Sequence, residues 1–359
     1  MTHKADGSID RCKARLVAKG YTQIYGVDYL ETFAPVAKLN TVHVLLSLAA
    51  NRDGPLLQFD LKNAFLHGDL KEEIYMDLPP SIPVTFKKAV VCKLRKSLYG
   101  LKQSPRAWFG RFAASIKKFG YVQSNSDHTL FLKRHKGKLT ALIIYVDDMI
   151  VTRDDQIEMQ NLQKYLASEF EMKSLGDLKY FLGIKVARSK HETGMLDCKP
   201  IDTHSEQNHK LGLYHDEVPT DKEHHMGAVM RILRSKKQNV VSRSSAEAEY
   251  RGMAQGVCEL LWLRRLLRDL GFGPQRPMNL YCDNKAAIAI AHNHMQHHRA
   301  KHVDVNRHFV KEKLDAEIIS FLFISSEYQL ADVLTKAVST TVFLNSLDKL
   351  GMRDIFAPT

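Results

Sequence analysis

The chain is 359 residues long, enough for two domains or three, each with a core of its own. Hydrophobic residues at 44% and charged residues at 26% describe an ordinary globular composition. Five scattered cysteines (Cys12, Cys92, Cys198, Cys258, Cys282) form no CxxC pair, which argues against a zinc ribbon and a disulfide framework and fits a reducing compartment.

Lys and Arg outnumber Asp and Glu by 52 to 40, and the formal net charge of +12 favours a polyanionic partner such as nucleic acid. A merely basic soluble protein would carry the same charge. No apolar run approaches the ~20 residues of a membrane span and no signal peptide opens the chain, so the expected partners include no membrane. The expected location is the cytoplasm or the nucleus.

The first residues, MTHKADGSIDR, read as the middle of a β-hairpin with Asp6-Gly7 as its turn. A chain starting inside a hairpin suggests truncation. Leu56-Leu57-Gln58-Phe59-Asp60-Leu61 alternates and predicts a strand with Asp60 near its end. Ser104-Pro105 predicts a helix N-cap followed by proline at the first helical position. Trp108, Phe112, Ser115 and Phe119 then recur at helical spacing, and Gly120 ends the helix. The run LTALIIYVDDMIVT predicts two strands, Thr140 to Tyr145 and Met149 to Thr152, with Asp147-Asp148 at the tip of a hairpin.

From Ser189 to Glu223 the text is polar and loses periodicity, and it reads as a linker or a damaged region. The second patterned block opens with a predicted strand from Gln238 to Ser242 and a long helix from about Ser244. That helix has an apolar stripe of Tyr250, Met253, Val257, Leu260, Leu263, Leu267 and Leu270 and stops at Gly271-Phe272-Gly273-Pro274. A strand from Met278 to Tyr281 leads into Asp283. A helix over roughly Asp304 to Leu314 and a strand from Glu317 to Ile324 follow. Ser326-x-x-Gln329 is a capping-box signature for a last helix carrying Asp332.

Two adjacent carboxylates in an apolar run are the most informative feature. Burying one unpaired carboxylate costs roughly several kcal/mol, so Asp147-Asp148 need a cation or a turn that lifts them into water. A tight turn aims both at one point, which suits a divalent metal with oxygen ligands. An Asp-rich surface turn fits the same four residues equally well. With Asp60 there are three carboxylates, the set that a two-metal site for phosphoryl transfer requires, its ions roughly 4 Å apart. Between them, Lys93, Arg95, Lys96, Lys102, Arg106 and Arg111 interleave with Tyr99, Trp108 and Phe109. Cations at that density can neutralise phosphates, while the aromatics stack on bases or pack a core; Trp108 and Phe112 read as core.

In this order, KARLVAKGYTQ, ETFAPVAKL, FDLKNAFLHGDL, KSLYGLKQSPRAWF, YVDD and LGDLKYFLGI resemble the reverse transcriptase of copia-type retrotransposons. RSSAEAEYRGMA, LYCDNKAAI and SSEYQLADVLTKA resemble the RNase H domain that follows it in the same Pol polyprotein. The resemblance implies an α+β fold: a right-hand polymerase palm and fingers, with an antiparallel sheet and helices, then a truncated RNase H-like α/β domain. Residues 1–188 would be fingers and palm, 189–223 a degraded linker or thumb remnant, and 224–359 the partial RNase H-like domain.

It implies Mg²⁺ (or Mn²⁺) at Asp60, Asp147 and Asp148, and Phe65 as the aromatic gate that collides with a ribose 2′-hydroxyl. Gly100 and Lys102 match the loop lining the incoming nucleotide and template, and Lys13 and Arg15 the segment where cations meet the triphosphate. Phe181-Leu182-Gly183 matches the hairpin that grips the primer terminus. The implied partners are an RNA template, a DNA primer, deoxynucleoside triphosphates and an RNA–DNA hybrid.

In the RNase H part, Asp283, again a metal ligand, and Asp332 match two of the family's four carboxylates. Either Glu247 or Glu249 is the glutamate. Ser244-x-x-Glu247 offers Glu247 a capping role, and Glu249 fits the family pattern better. The family's first RNase H aspartate, in a DADWAG-like motif, has no match, and the text skips near Lys190-His191, Glu223-His224 and Arg234-Ser235. An inactive RNase H remnant is therefore expected. A catalytically inert nucleic-acid-binding remnant is the alternative for the whole chain. His292, His294, His297, His298, His302 and His308 lack a cysteine or HExxH partner, so a basic solvated face is favoured over zinc.

Overall fold

Residues 130–153 fold as the β-branched and alternating pattern requires, into a meander of three antiparallel strands. A computed structural model describes residues 2–3, 9–11, 16–52, 54–79, 90–153, 155–182, 184–188, 193–196, 245–292, 301–329, 331, 339–341 and 343. These divide into two units, one of Met1–Cys198 with Arg265–Gly273 and one of Lys199–Arg264 with Pro274–Thr359.

In the first unit the strands are β1 (Thr2–His3), β2 (Ile9–Arg11), β3 (Leu56–Leu61), β4 (Tyr75–Asp77), β5 (Val91–Lys93), β6 (Val122–Gln123), β7 (Leu130–His135), β8 (Lys138–Tyr145), β9 (Asp148–Arg153), β10 (Met172–Asp177), β11 (Tyr180–Phe181), β12 (Ile184–Arg188) and β13 (Thr193–Leu196). Its helices are α1 (Leu39–Asn51), α2 (Ser104–Lys118) and α3 (Gln156–Glu169). The central sheet has six strands in the order β10-β3-β9-β8-β7-β6, every pair antiparallel. β1 pairs with β2 as the N-terminal hairpin pattern predicts, while Asp6-Gly7 lies outside the described residues.

Strand alternation decides which side chains meet the helices. Phe59 and Leu61 of β3, Leu142 and Ile144 of β8, and Met149 and Val151 of β9 join one core with Trp108, Phe112 and Ile116 of α2 and Met159, Leu162 and Leu166 of α3. Each such side chain contributes about 1.5–3 kcal/mol by leaving water. Gln58 and Asp60 of β3 and Asp148 of β9 alternate with these and so point to the opposite face. On that face α1 buries Val42, Leu45, Leu46 and Ala49, and its Ala49 lines a small pocket with Ala141 and Thr152. The Asp60–Asp148 end of the same face borders a cavity.

Two expected helix starts differ in detail. Ser104 is the first residue of α2, not its cap; Gln103 holds the cap position without a side-chain cap bond, and the Ser104 hydroxyl donates to the Leu98 carbonyl at 2.7 Å. Pro105 does occupy the first turn, and Gly120, at φ 95°, ends the helix. The 189–223 stretch and the predicted strand from Gln238 to Ser242 fall outside the described residues, apart from four backbone positions in β13.

The second unit holds the N-terminal part of a long helix, α4 (Ser245–Leu270), then β14 (Met278–Cys282), α5 (Lys285–His292), α6 (Lys301–Asp315) and β15 (Ile319–Phe323). β14 and β15 pair in parallel, from Met278 opposite Ile319 to Cys282 opposite Phe323. Tyr250, Met253, Ala254 and Val257 of α4 form its core with Cys282, Ala287, Ala291, Val310 and Ile319. The expected helix after Ser326 is, within the described residues, a single 3-10 turn, Ser326–Tyr328. No described helix is long and apolar enough to cross a membrane.

Candidate active site

Asp60 and Asp148 stand directly opposite one another in the β3–β9 ladder, and Asp147 occupies the turn between β8 and β9. The turn is tighter and one residue earlier than the sequence suggests. Tyr145 pairs with Asp148, so Val146 and Asp147 alone make the reversal and Asp148 belongs to the strand. Val146 adopts φ 53°, an outlying conformation for a β-branched residue. Two tertiary bonds hold the turn: the Trp108 indole N–H donates to the Val146 carbonyl at 2.8 Å, and the Leu61 N–H donates to the Asp147 carbonyl at 2.8 Å.

Gln58, two residues before Asp60 on the same strand face, donates from Nε2 to Asp148 Oδ1 at 3.4 Å. Burial first, then the charge of Asp147 and less so that of Asp60, raise the Asp148 carboxyl above the usual carboxylate range, against the lowering effect of the Gln58 bond. The three carboxylates are near enough for the charges of Asp147 and Asp60 to act on Asp148, but they are not among the groups of described residues whose ligand atoms all lie within 4.8 Å of one another. Hard oxygen donors with mutual repulsion to relieve are the donor set that suits a divalent cation. Gln58 and Trp108 are site residues that motif reading passed over. Gln58 could have been found from its period-two relation to Asp60; the Trp108 bond has no sequence signal beyond a core aromatic.

Beside Asp148 and Gln58 lies a cavity of about 840 Å³, lined also by Leu39, Tyr145, Tyr180 and Leu182. Phe181 is buried and Leu182 adopts φ 50°, while Gly183 lies outside the described residues. Phe65 sits in a 3-10 turn, Ala64–His67, that follows β3, and its ring meets Tyr99 at a centroid distance of 4.8 Å. Gly100 adopts φ 93°, and a Cβ there would come within 2.1 Å of the Ala18 carbonyl oxygen, so only glycine fits.

Lys102 donates from Nζ to the Gln23 carbonyl at 3.2 Å and to the Tyr29 hydroxyl at 3.3 Å, with the ammonium 4.9 Å from the Tyr29 ring centre. Lys13 and Arg15 lie outside the described residues. Four of the six interleaved cations are engaged by carboxylates: Lys93 by Glu73, Lys96 by Asp69, Arg106 by Glu31, and Arg111 by Glu169 at 2.8 Å. The exposed pairs among these are weak, because water screens them.

In the second unit the ligand atoms of Glu249, Cys282 and Asp283 all lie within 4.8 Å of one another. Glu247 faces elsewhere and is bound to Arg251 at 2.6 Å. The Ser326 hydroxyl, expected to cap a helix, donates to Asp283 Oδ2 at 2.8 Å. Burial chiefly, with the charges of Glu249 and Asp283, pushes the Cys282 thiol above its ordinary value and keeps it protonated at neutral pH. Asp332, like the side chains of His294, His297, His298 and His302, lies outside the described residues; His292 and His308 are exposed.

The model of the reverse transcriptase (RNA-dependent DNA polymerase) family matches residues 1–204. The chain belongs to that family. It is 32% identical to the retrovirus-related Pol polyprotein from transposon RE1 of Arabidopsis thaliana, with 98% of this chain and 31% of the relative aligned. The corresponding figures are 31%, 97% and 31% for that of transposon RE2 from the same plant, and 31%, 97% and 35% for that of transposon TNT 1-94 from Nicotiana tabacum. The copia-type Pol reading of the motifs is thereby borne out.

The chain spans about a third of the length of these relatives. The alignment to the first extends over 453 residues, more than the 359 of this chain, so that relative carries residues inside the aligned stretch with no counterpart here. No solved structure matches the chain.

Proposed function

We propose that the chain is an RNA-directed DNA polymerase of a copia-type element, acting by two-metal nucleotidyl transfer on an RNA template and a DNA primer. The observation that carries this is the pairing of Asp60 with Asp148 across β3 and β9, with Asp147 in the adjoining turn. These three carboxylates would hold Mg²⁺ (or Mn²⁺), which when bound activates the primer 3′-hydroxyl and stabilises the leaving oxygen. The 3′-hydroxyl gives up its proton to water, and its oxygen forms a bond to the α-phosphorus of a deoxynucleoside triphosphate. The bond from that phosphorus to the α–β bridging oxygen breaks, and pyrophosphate leaves. Phe65 would exclude a ribose 2′-hydroxyl, and Gly100 and Lys102 would line the nucleotide and template. Phe181, Leu182 and Gly183 would grip the primer end, Leu182 lining the 840 Å³ cavity, and Lys13 and Arg15 would meet the triphosphate.

On this reading residues 1–188 are fingers and palm, 189–223 a thumb remnant and linker, and 224–359 a partial RNase H-like domain with Glu249, Asp283 and Asp332 as its carboxylates. Residues absent relative to the plant Pol polyproteins weaken the grip on the primer–template, so products are short.

Primer extension on poly(rA)/oligo(dT) with Mg²⁺ tests the proposal. Addition of a few nucleotides, abolished in the Asp147→Asn, Asp148→Asn double variant, is the expected result. No addition by the parent, with salt-sensitive nucleic-acid binding equal in both proteins, would instead establish an inert binding remnant, which the +12 charge alone would support.

A further inference from the structure

We propose that Tyr99 is a positioning residue for sugar selection, holding the Phe65 ring where it meets the nucleotide; this rests on the reading of Phe65 as the gate. The backbone under Phe65 is fixed from three sides. Asn63 enters the turn at φ 52°. The Phe65 carbonyl accepts from the Gly68 N–H at 3.0 Å and from the Ser97 hydroxyl. The Ser97 N–H in turn donates to the Gly68 carbonyl at 2.9 Å.

Gly68 cannot carry a side chain, because a Cβ would come within 2.5 Å of Ser97 Oγ and 2.7 Å of the Trp108 nitrogen. Segment 97–99 is therefore sewn to the turn that presents Phe65. With its backbone held, Phe65 keeps only the rotations of its own side chain, of which the one about the ring bond is broad. Its ring is half-buried, and Tyr99 lies 4.8 Å away at an interplanar angle of 56°. An aromatic pair at that distance and tilt is attractive and favours one ring orientation over others.

Tyr99 has a firm base for this. Its carbonyl accepts from the Ala18 N–H at 2.7 Å, and Gly100 beside it packs on the Ala18 carbonyl too closely for any Cβ. Tyr99 thus offers the Phe65 ring a wall whose backbone is held in place. Removing the wall lets the gate ring swing back and admit a 2′-hydroxyl, without touching the carboxylates on β3 and β9.

The test is single-turnover addition of one dTTP or one UTP to poly(rA)/oligo(dT) with protein in excess, read as the ratio of the two efficiencies. That ratio is independent of the folded fraction, so a partly unfolded variant still reports. Tyr99→Leu should lower it by about 2- to 10-fold, the scale of a single aromatic pair. Tyr99→Phe, which keeps the ring, should leave it unchanged, and Phe65→Ala should lower it further than Tyr99→Leu does. In the Phe65→Ala background Tyr99→Leu should add nothing.

An unchanged ratio in Tyr99→Leu alongside a collapsed one in Phe65→Ala overturns the role of Tyr99 and leaves the gate standing. Equal effects of Tyr99→Leu in both backgrounds also overturn it, as does a Tyr99→Phe variant that behaves like Tyr99→Leu. An unchanged ratio in Phe65→Ala overturns the gate itself. A parent that adds neither nucleotide overturns the proposed function and the role of Tyr99 with it.

Discussion

The indole N–H of Trp108 donates to the carbonyl of Val146, tying the middle of α2 to the one residue of the β8–β9 turn whose backbone is left-handed. A β-branched residue in that conformation costs of order 1–2 kcal/mol. The bond therefore holds a strained turn against relaxation, and Asp147 and Asp148 follow Val146 directly. Trp108→Phe deletes the donor and leaves a smaller ring in the core. Water can replace the bond at partly exposed Val146, but Trp108 itself is buried against Phe112 and Phe170. Lost packing therefore adds to the lost bond, and the cost in urea unfolding should be about 1–3 kcal/mol. Single-turnover addition should fall more than the folded fraction does. Val146→Gly removes the strain, so its urea midpoint should rise; a lower midpoint would show that the turn is not strained.

The Asp148 carboxyl gives a pH-dependent handle. Its value in the fold lies above that of the unfolded chain, so the folded protein binds its proton more tightly. The sign of the linkage follows: the group favours the fold below the unfolded value of about 3.9, and that contribution is lost as pH rises through the raised value. Without metal, Asp148→Asn should therefore melt higher than the parent at pH 7. The group is partly open to solvent, which limits the gain to a few degrees at most. The difference should vanish near pH 4, and Mg²⁺ should stabilise the parent but not the variant. Thermal melts in EDTA and in Mg²⁺ across that range provide the measurement.

Asp127, a residue with no part in the chemistry, should matter more for stability than any carboxylate of the site. It is buried, and it accepts four hydrogen bonds: from the Lys38 N–H and the Thr41 hydroxyl on Oδ2, and from the Thr129 N–H and hydroxyl on Oδ1. It thereby ties the start of α1 to the loop that leads into β7, the first strand of the meander. Asp127→Ala leaves several of these donors unsatisfied away from water and should cost more than about 2 kcal/mol in urea unfolding. Asp127→Asn keeps one acceptor oxygen and should cost less. Equal losses would place the effect in packing instead.

Three strands of the central sheet, β3, β8 and β9, were legible because alternation and β-branching are local; β6, β7 and β10 were not. Nor was the register of the turn. Whether Val146-Asp147 or Asp147-Asp148 makes the reversal depends on Val146 accepting a left-handed backbone, which its side chain disfavours and the Trp108 bond from α2 supports. Two serines show the same limit. Ser104 and Ser326 both carry cap signatures, and both hydroxyls went to partners of another kind, the Leu98 carbonyl and the Asp283 carboxylate. A cap motif states that a hydroxyl is available; the tertiary fold decides what it bonds. The basic stretch shows a further limit, since Glu31, Asp69, Glu73 and Glu169 come from distant segments to meet its cations, and no local pattern announces them.

In the second unit the expected outcome is the absence of hybrid cleavage. Glu249 and Asp283 converge, and the third group beside them is the Cys282 thiol rather than a carboxylate. Burial and the two neighbouring charges keep that thiol protonated, so it brings no negative charge to the pair. Two-metal hydrolysis needs a full set of carboxylates; Asp332 lies outside the described residues, and the aspartate expected in a DADWAG-like motif on an opening strand has no match in this sequence. A labelled RNA–DNA hybrid incubated with the protein in Mg²⁺ or Mn²⁺ should therefore stay intact over times in which the primer is extended. Cleavage that persists in Asp283→Asn would mark a contaminating nuclease. Cleavage lost in both Asp283→Asn and Glu249→Gln would overturn the expectation and mean that the missing aspartate is supplied from elsewhere in the chain.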